Sequence, residues 1–143
     1  MTRGALGTWL SGMPACLVDD IPRLVYHRIV EYSVFVLKPA EEFLASLEAK
    51  LAAKAFREIE LLAAFGPRLP FPHARKIKGT EKLHELLVKQ SSNICRLFYF
   101  FKADRIYVIT SGYIKKSDRT EPEQIQRALR LMEAYQEDSD EQR

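Results

Sequence analysis

Three short apolar runs, Leu83–Lys89, Ile94–Phe101 and Arg105–Thr110, follow one another with only four and three residues between them, and nothing else in the chain constrains the fold as tightly. Links that short cannot carry a crossover, so the runs must be antiparallel neighbours in one sheet. The second and third runs are rich in β-branched and aromatic residues, and the polar links Gln90-Ser91-Ser92-Asn93 and Lys102-Ala103-Asp104 supply the turns.

Upstream, Ile29–Val36 has the composition of a strand and stops before Pro39. The pattern then turns helical. Pro39 suits a first helical turn, Glu41 and Glu42 suit the positive end of the helix dipole, and Phe43, Leu44 and Leu47 form an apolar side. A second helix is predicted from about Ala49 to Phe65, with Leu51, Ala55, Ile59 and Leu62 in helical phase and Gly66-Pro67 as its stop. The two helices should form a hairpin over the sheet.

Pro67, Pro70 and Pro72 predict an irregular connector after the hairpin. Near the C-terminus, Thr120 stands three residues ahead of Glu123 in a capping-box spacing. Ile125, Ala128, Leu129 and Met132 then make one apolar stripe of a terminal helix. The expected fold is α+β: an N-terminal strand, a helical hairpin, a three-stranded antiparallel meander and a C-terminal helix. A chain of 143 residues suits one domain. It is expected to span 29–136, with an extension of uncertain order at 1–28 and an acidic flexible tail at 137–143.

Charge is unevenly spread. Lys and Arg minus Asp and Glu comes to +1 for 1–28, +6 for 29–119 and −4 for 120–143, so the overall +3 hides a basic middle. Many fixed cations on one sheet attract a polyanion and release its counterions, which points to RNA. The two cysteines, Cys16 and Cys95, are too few for a disulfide framework, and Cys95 inside an apolar run reads as a buried thiol. The run Ala5–Leu10 is short for a signal peptide, and no stretch approaches a membrane span. A cytoplasmic protein with no membrane partner is expected.

Cleavage of RNA without a metal needs a base for the 2′-hydroxyl, cations for the phosphate and an acid for the leaving oxygen. Lys and Arg can perform several of these tasks. Lys76 and Lys78 flank Ile77, so in an extended chain both amines face one way and Ile77 the other; they suit either phosphate contact or a solvated edge. Arg96 lies in the most apolar run and needs a partner or a ligand, either Glu85 or a phosphate. Lys115, Lys116 and Arg119 follow the last strand, and Tyr113 before them can stack on a base or sit in the core. His84 on its strand is an acid/base candidate or a structural imidazole, and His73 is a weaker one. Three scattered histidines make no metal site, and no P-loop, dinucleotide fingerprint or catalytic triad occurs, so no cofactor is expected.

Taken in order, these pieces resemble a known family. The carrying residues are Ala40-Glu41-Glu42-Phe43-Leu44, Leu61-Leu62-Ala63-Ala64-Phe65-Gly66-Pro67, Lys76-Ile77-Lys78-Gly79 and Leu83-His84-Glu85-Leu86. They continue with Arg96-Leu97-Phe98-Tyr99-Phe100-Phe101, Gly112-Tyr113-Ile114-Lys115-Lys116 and Glu123-Gln124-Ile125-Gln126-Arg127-Ala128. Residues 30–135 are similar to the RelE/ParE toxin superfamily, and more closely to its phage-derived Gp49-like, HigB-type branch.

That resemblance implies a microbial-RNase-like α+β fold and a type II toxin that cleaves mRNA on the ribosome. It implies a cognate helix-turn-helix antitoxin as partner, and it leaves a homodimer open. By position, Lys76, Lys78, Arg96 and Lys116 take catalytic roles, while His84, Tyr113, Lys115 and Arg119 bind substrate. Two positions depart from the pattern: Leu87 stands where relatives carry Arg, and Ser111 where they often carry His. Two further readings follow, a ParE-like gyrase-binding toxin and a catalytically weakened phage-derived binding protein.

Overall fold

The computed structural model describes residues 32–103, 105–116 and 119–141. The expected extension 1–28 and the first strand residues Ile29, Val30 and Glu31 lie outside the described residues, as do Cys16, Asp104, Ser117, Asp118 and the last two positions.

The meander expected from the short links is present as β3 (Leu83–Gln90), β4 (Asn93–Lys102) and β5 (Ile106–Ile114). Gln90 pairs with Asn93, so the first link is a two-residue turn, with Ser91 at φ 54. Turns of positive φ match the twist of the strands they join. Strand β1 (Ser33–Val36) lies parallel to β5, held by Ser33 N–H donating to the Arg105 carbonyl (2.9 Å) and Leu37 N–H to that of Ile109 (2.9 Å). A fifth strand, β2 (Ala74–Lys76), pairs with β3 at the far edge, at the end of the stretch expected to be an irregular connector. The sheet order is β1-β5-β4-β3-β2.

Helices α1 (Lys38–Ser46) and α2 (Ala49–Phe65) cover one face, and α3 (Pro122–Glu141) packs on the other. On the hairpin side, Ala55, Ile59 and Leu62 of α2 meet Leu86 and Val88 of β3 and Cys95 and Leu97 of β4. Those are the phases the helical and alternating patterns require. Gly66, at φ 55, ends α2 where any Cβ would run into the Tyr32 ring. Gly112 has a different reason: a Cβ there would lie 2.5 Å from the Phe43 ring and 2.7 Å from Leu97, so its absence lets α1 settle on β5.

Thr110 sits in a β-bulge, since Tyr99 pairs with Ile109 but Phe98 pairs with Ser111. The extra residue changes which side chains face which way. Ile109 packs in the hairpin-side core and Gly112 lies against Phe43 there, whereas Val108 and Tyr113 belong to the clusters under α3. Helix α3 presents Ile125, Ala128, Leu129 and Met132 to those clusters, as its stripe predicts, and it continues to Glu141. Among the described residues no helix is long and apolar enough to cross a membrane.

One carboxyl on α2 couples the fold to pH. Burial pushes Glu60 up to about 7, against the opposing pull of the Arg57 guanidinium. The native state therefore keeps a proton that the unfolded chain releases, and stability falls as pH rises from about 4.5 to about 7. Glu60→Gln is expected to raise the melting temperature at pH 8 and to leave it nearly unchanged at pH 4. Equal shifts at both values in thermal melts would remove Glu60 as the cause.

Candidate functional site

Strand parity distributes the expected site residues over two faces. On the α3 side, Arg75 stands opposite Glu85 in the β2–β3 pair, and Arg96 stands opposite Tyr113 in the β4–β5 pair. Glu85, 2% exposed, is the hub: it accepts from Arg96 Nη1 at 3.0 and 3.2 Å and from Arg75 Nε at 2.5 Å. The Thr120 hydroxyl donates to Glu85 at 3.1 Å and accepts from Arg96 Nη1 and from Arg75 Nη2.

Thr120 thus spends its hydroxyl on this cluster, where the sequence predicts a helix cap. The backbone N–H of Glu121, one residue before α3, donates instead to the Tyr113 hydroxyl at 3.2 Å. Buried charges need partners, and a tertiary carboxylate with two guanidiniums outcompetes a local cap. Tyr113 stacks on Phe98 with centroids 5.8 Å apart, so it is a core aromatic at the edge of the cluster.

The cluster forms the wall of a cleft of about 150 Å³ lined by Phe71, Pro72, Leu87 and Lys115 together with Arg75, Arg96 and Glu85. Among the described residues three cations and a single carboxylate converge there. Arg96, 2% exposed, lies at the back of the cleft, and Arg75 with its half-exposed side chain lies at the mouth. Of the two partners proposed for Arg96, Glu85 is in place. Lys116 and Arg119 are exposed on the stretch that leads to α3.

The other face carries Lys76 and His84, directly opposite one another in the β2–β3 register. His84 Nδ1 donates to the Lys82 carbonyl at 3.1 Å, which in the neutral ring leaves Nε2 as the acceptor. Its ring stacks on Tyr99 at 5.4 Å. Lys78 is exposed in the turn after Ile77, whose own side chain is buried under α3, so Lys76 and Lys78 do flank a core residue. His73 is tied down: its Nδ1 donates to Glu58 on α2 at 3.0 Å and anchors the connector.

The structure therefore groups Arg96, Lys115 and Tyr113 near one cleft and Lys76 with His84 on the opposite face. Sequence reading missed Arg75, because the prolines before it obscured the start of β2. The signal available was its spacing of two from Ile77, which places both on one side of an extended chain. Ser111 is fully buried, and its hydroxyl has no hydrogen-bond partner among the described residues, so this position faces the α3-side interior and not solvent. Leu87 lines the cleft itself. Burial pushes the Cys95 thiol up to about 12, which makes it a packing group and not a nucleophile. Among the described residues no cluster of His, Cys, Asp or Glu could hold a metal ion.

A family model described as "Phage derived protein Gp49-like" matches residues 42–133, more than half of the chain, from α1 through most of α3. No curated protein matches it.

Proposed function

We propose that this chain, which belongs to the phage-derived Gp49-like family, is the toxin of a type II toxin–antitoxin pair and cuts mRNA without a metal. The observation that carries this reading is the convergence of Arg75, Arg96 and Lys115 on one small cleft with Glu85 as the lone carboxylate among the described residues. A phosphodiester is the ligand such a site fits, because fixed cations in a partly desolvated cleft stabilise the charge that develops at phosphorus.

In the proposed reaction the Lys78 amine, exposed in the turn after Ile77, takes the proton of a 2′-hydroxyl, while Lys76, on the opposite face of β2, holds the strand where it passes the sheet edge. The oxygen attacks the adjacent phosphorus, the bond to the 5′-oxygen breaks, and that oxygen regains a proton. The products are a 2′,3′-cyclic phosphate and a free 5′-hydroxyl. Lys115 and Arg75 hold the phosphate, and Arg96 supports the transition-state charge from behind. Lys116 and Arg119 steer the strand, His84 meets it where it crosses the β2 edge, and Tyr113, a core aromatic, acts by holding the start of α3. The partners in this reading are a helix-turn-helix antitoxin and the translating ribosome in the cytoplasm.

Expression without antitoxin is expected to arrest growth and to fragment mRNA, and Lys78→Ala with Lys116→Ala to slow cleavage by about a hundredfold. Intact mRNA beside broken DNA would replace this reading with the gyrase-binding one. A second reading has its own support: Leu87 places an apolar side chain in the cleft and Glu85 neutralises part of its charge, which favours a protein that binds RNA and cleaves it slowly. Tight RNA binding with no growth arrest would select it.

A further inference from the structure

Opposite the Glu85 cleft lies a larger groove of about 650 Å³, between the end of α2 and the β2–β3–β4–β5 surface. Its floor is aromatic. Tyr107 meets Tyr32 at 5.5 Å, Tyr99 at 5.6 Å and Phe101 at 5.1 Å, each edge to face, and His84 stacks on Tyr99. Cations line its walls: Arg75, Lys76 and Arg105, the last with its guanidinium 5.0 Å from the Tyr32 ring centre. Among the described residues no carboxylate lines it.

We infer that this groove binds single-stranded RNA, stacking bases on Phe101 and His84 above a floor of buried Tyr107 and Tyr99, while Lys76 and Arg105 hold the backbone. Aromatic faces alternating with cations are how proteins grip unpaired strands without reading sequence. Phe101 is a large apolar ring left 48% exposed directly after the buried stretch of β4, which suits a stacking platform. Burial pushes the Tyr99 hydroxyl up and that of Tyr107 up to about 12, so neither adds negative charge to the groove. The groove and the cleft share Arg75 at the sheet edge, so one strand can wrap β2 and reach both.

This inference rests on RNA as the substrate of the cleft, but its test does not need cleavage. The probe is a fluorescent single-stranded 2′-O-methyl RNA of about eight nucleotides, within the span such surfaces cover, titrated into the full chain and followed by anisotropy. Phe101→Ala with Arg105→Glu is expected to weaken binding at least tenfold. The slope of log affinity against log salt should become shallower by about 0.7 for one lost phosphate contact. Lys54→Glu on the exposed side of α2 makes a charge change of the same size and should cost far less. A duplex of the same length should bind more weakly, because its bases are already stacked.

Unchanged affinity in the Phe101/Arg105 variant would overturn the inference, as would equal loss in Lys54→Glu. Binding of a polyglutamate peptide that depends on Phe101 and Arg105, with no RNA binding, would also overturn it. If the chain binds this probe through the groove but never cuts unmodified RNA, the nuclease reading fails and the groove stands. If it cuts RNA while the variant binds normally, the groove fails and the nuclease reading stands.

Discussion

Glu85→Ala is expected to lower the unfolding free energy by about 3–5 kcal/mol, since removing one member of a buried ion pair strands the other. Arg96 is 2% exposed and has both Glu85 oxygens within 3.2 Å. Without the carboxylate, two guanidiniums face each other across the β2–β3–β4 junction, and Thr120 loses the acceptor that ties the start of α3 to the sheet. Urea unfolding measures the loss. The companion variant, Glu85→Leu with Arg96→Met, removes both charges and should recover most of it, because well-packed apolar replacements of a buried pair are often neutral. If the double variant is as unstable as Glu85→Ala, the cost lies in packing and the electrostatic account is wrong.

The second large effect is expected at Phe98. It is fully buried, stacks on Tyr113 and packs with Ile77, Leu83 and Ala128 beneath α3. Phe98→Ala should cost about 3–5 kcal/mol, the transfer of the ring plus the cavity it leaves. The loss should be felt at α3, because Phe98 is the largest fully buried side chain of that cluster. Hydrogen exchange is therefore expected to accelerate in α3 before it does in α2. Phe101, three residues further along β4 and half exposed, provides the contrast: Phe101→Ala should change stability by less than about 0.5 kcal/mol. Similar losses at both positions would mean that the two faces of β4 are not packed as described.

Much of this architecture was legible before the structure. The helix Ala49–Phe65 follows from an apolar phase of four and three residues and a glycine stop, and its observed ends are those residues. The antiparallel meander follows from link lengths alone. Strand β2 was not legible, because three residues of ARK after a proline-rich stretch carry no alternation of their own. Their order comes from pairing with β3 and from Arg75 reaching Glu85, a tertiary gain. Thr120 was misread for the same reason, since a capping-box spacing is a local preference, and the guanidiniums of Arg96 and Arg75 are stronger donors to its hydroxyl oxygen than a backbone N–H.

The sequence by itself determined the order of elements, the hairpin and meander, the basic middle and the family to which they belong. Periodicity and link length are local properties, and they survive without knowledge of what packs on what. Only the tertiary structure decided which cations act together. Alternation assigns Lys76 and His84 to one face and Arg75, Glu85 and Arg96 to the other, and this depends on a register that no single strand contains. The bulge at Thr110 then reverses the parity of β5, turning Ser111 and Tyr113 towards α3 and Gly112 towards Phe43. One unpaired residue moves every later side chain to the opposite face, so the site's membership is a property of strand pairing.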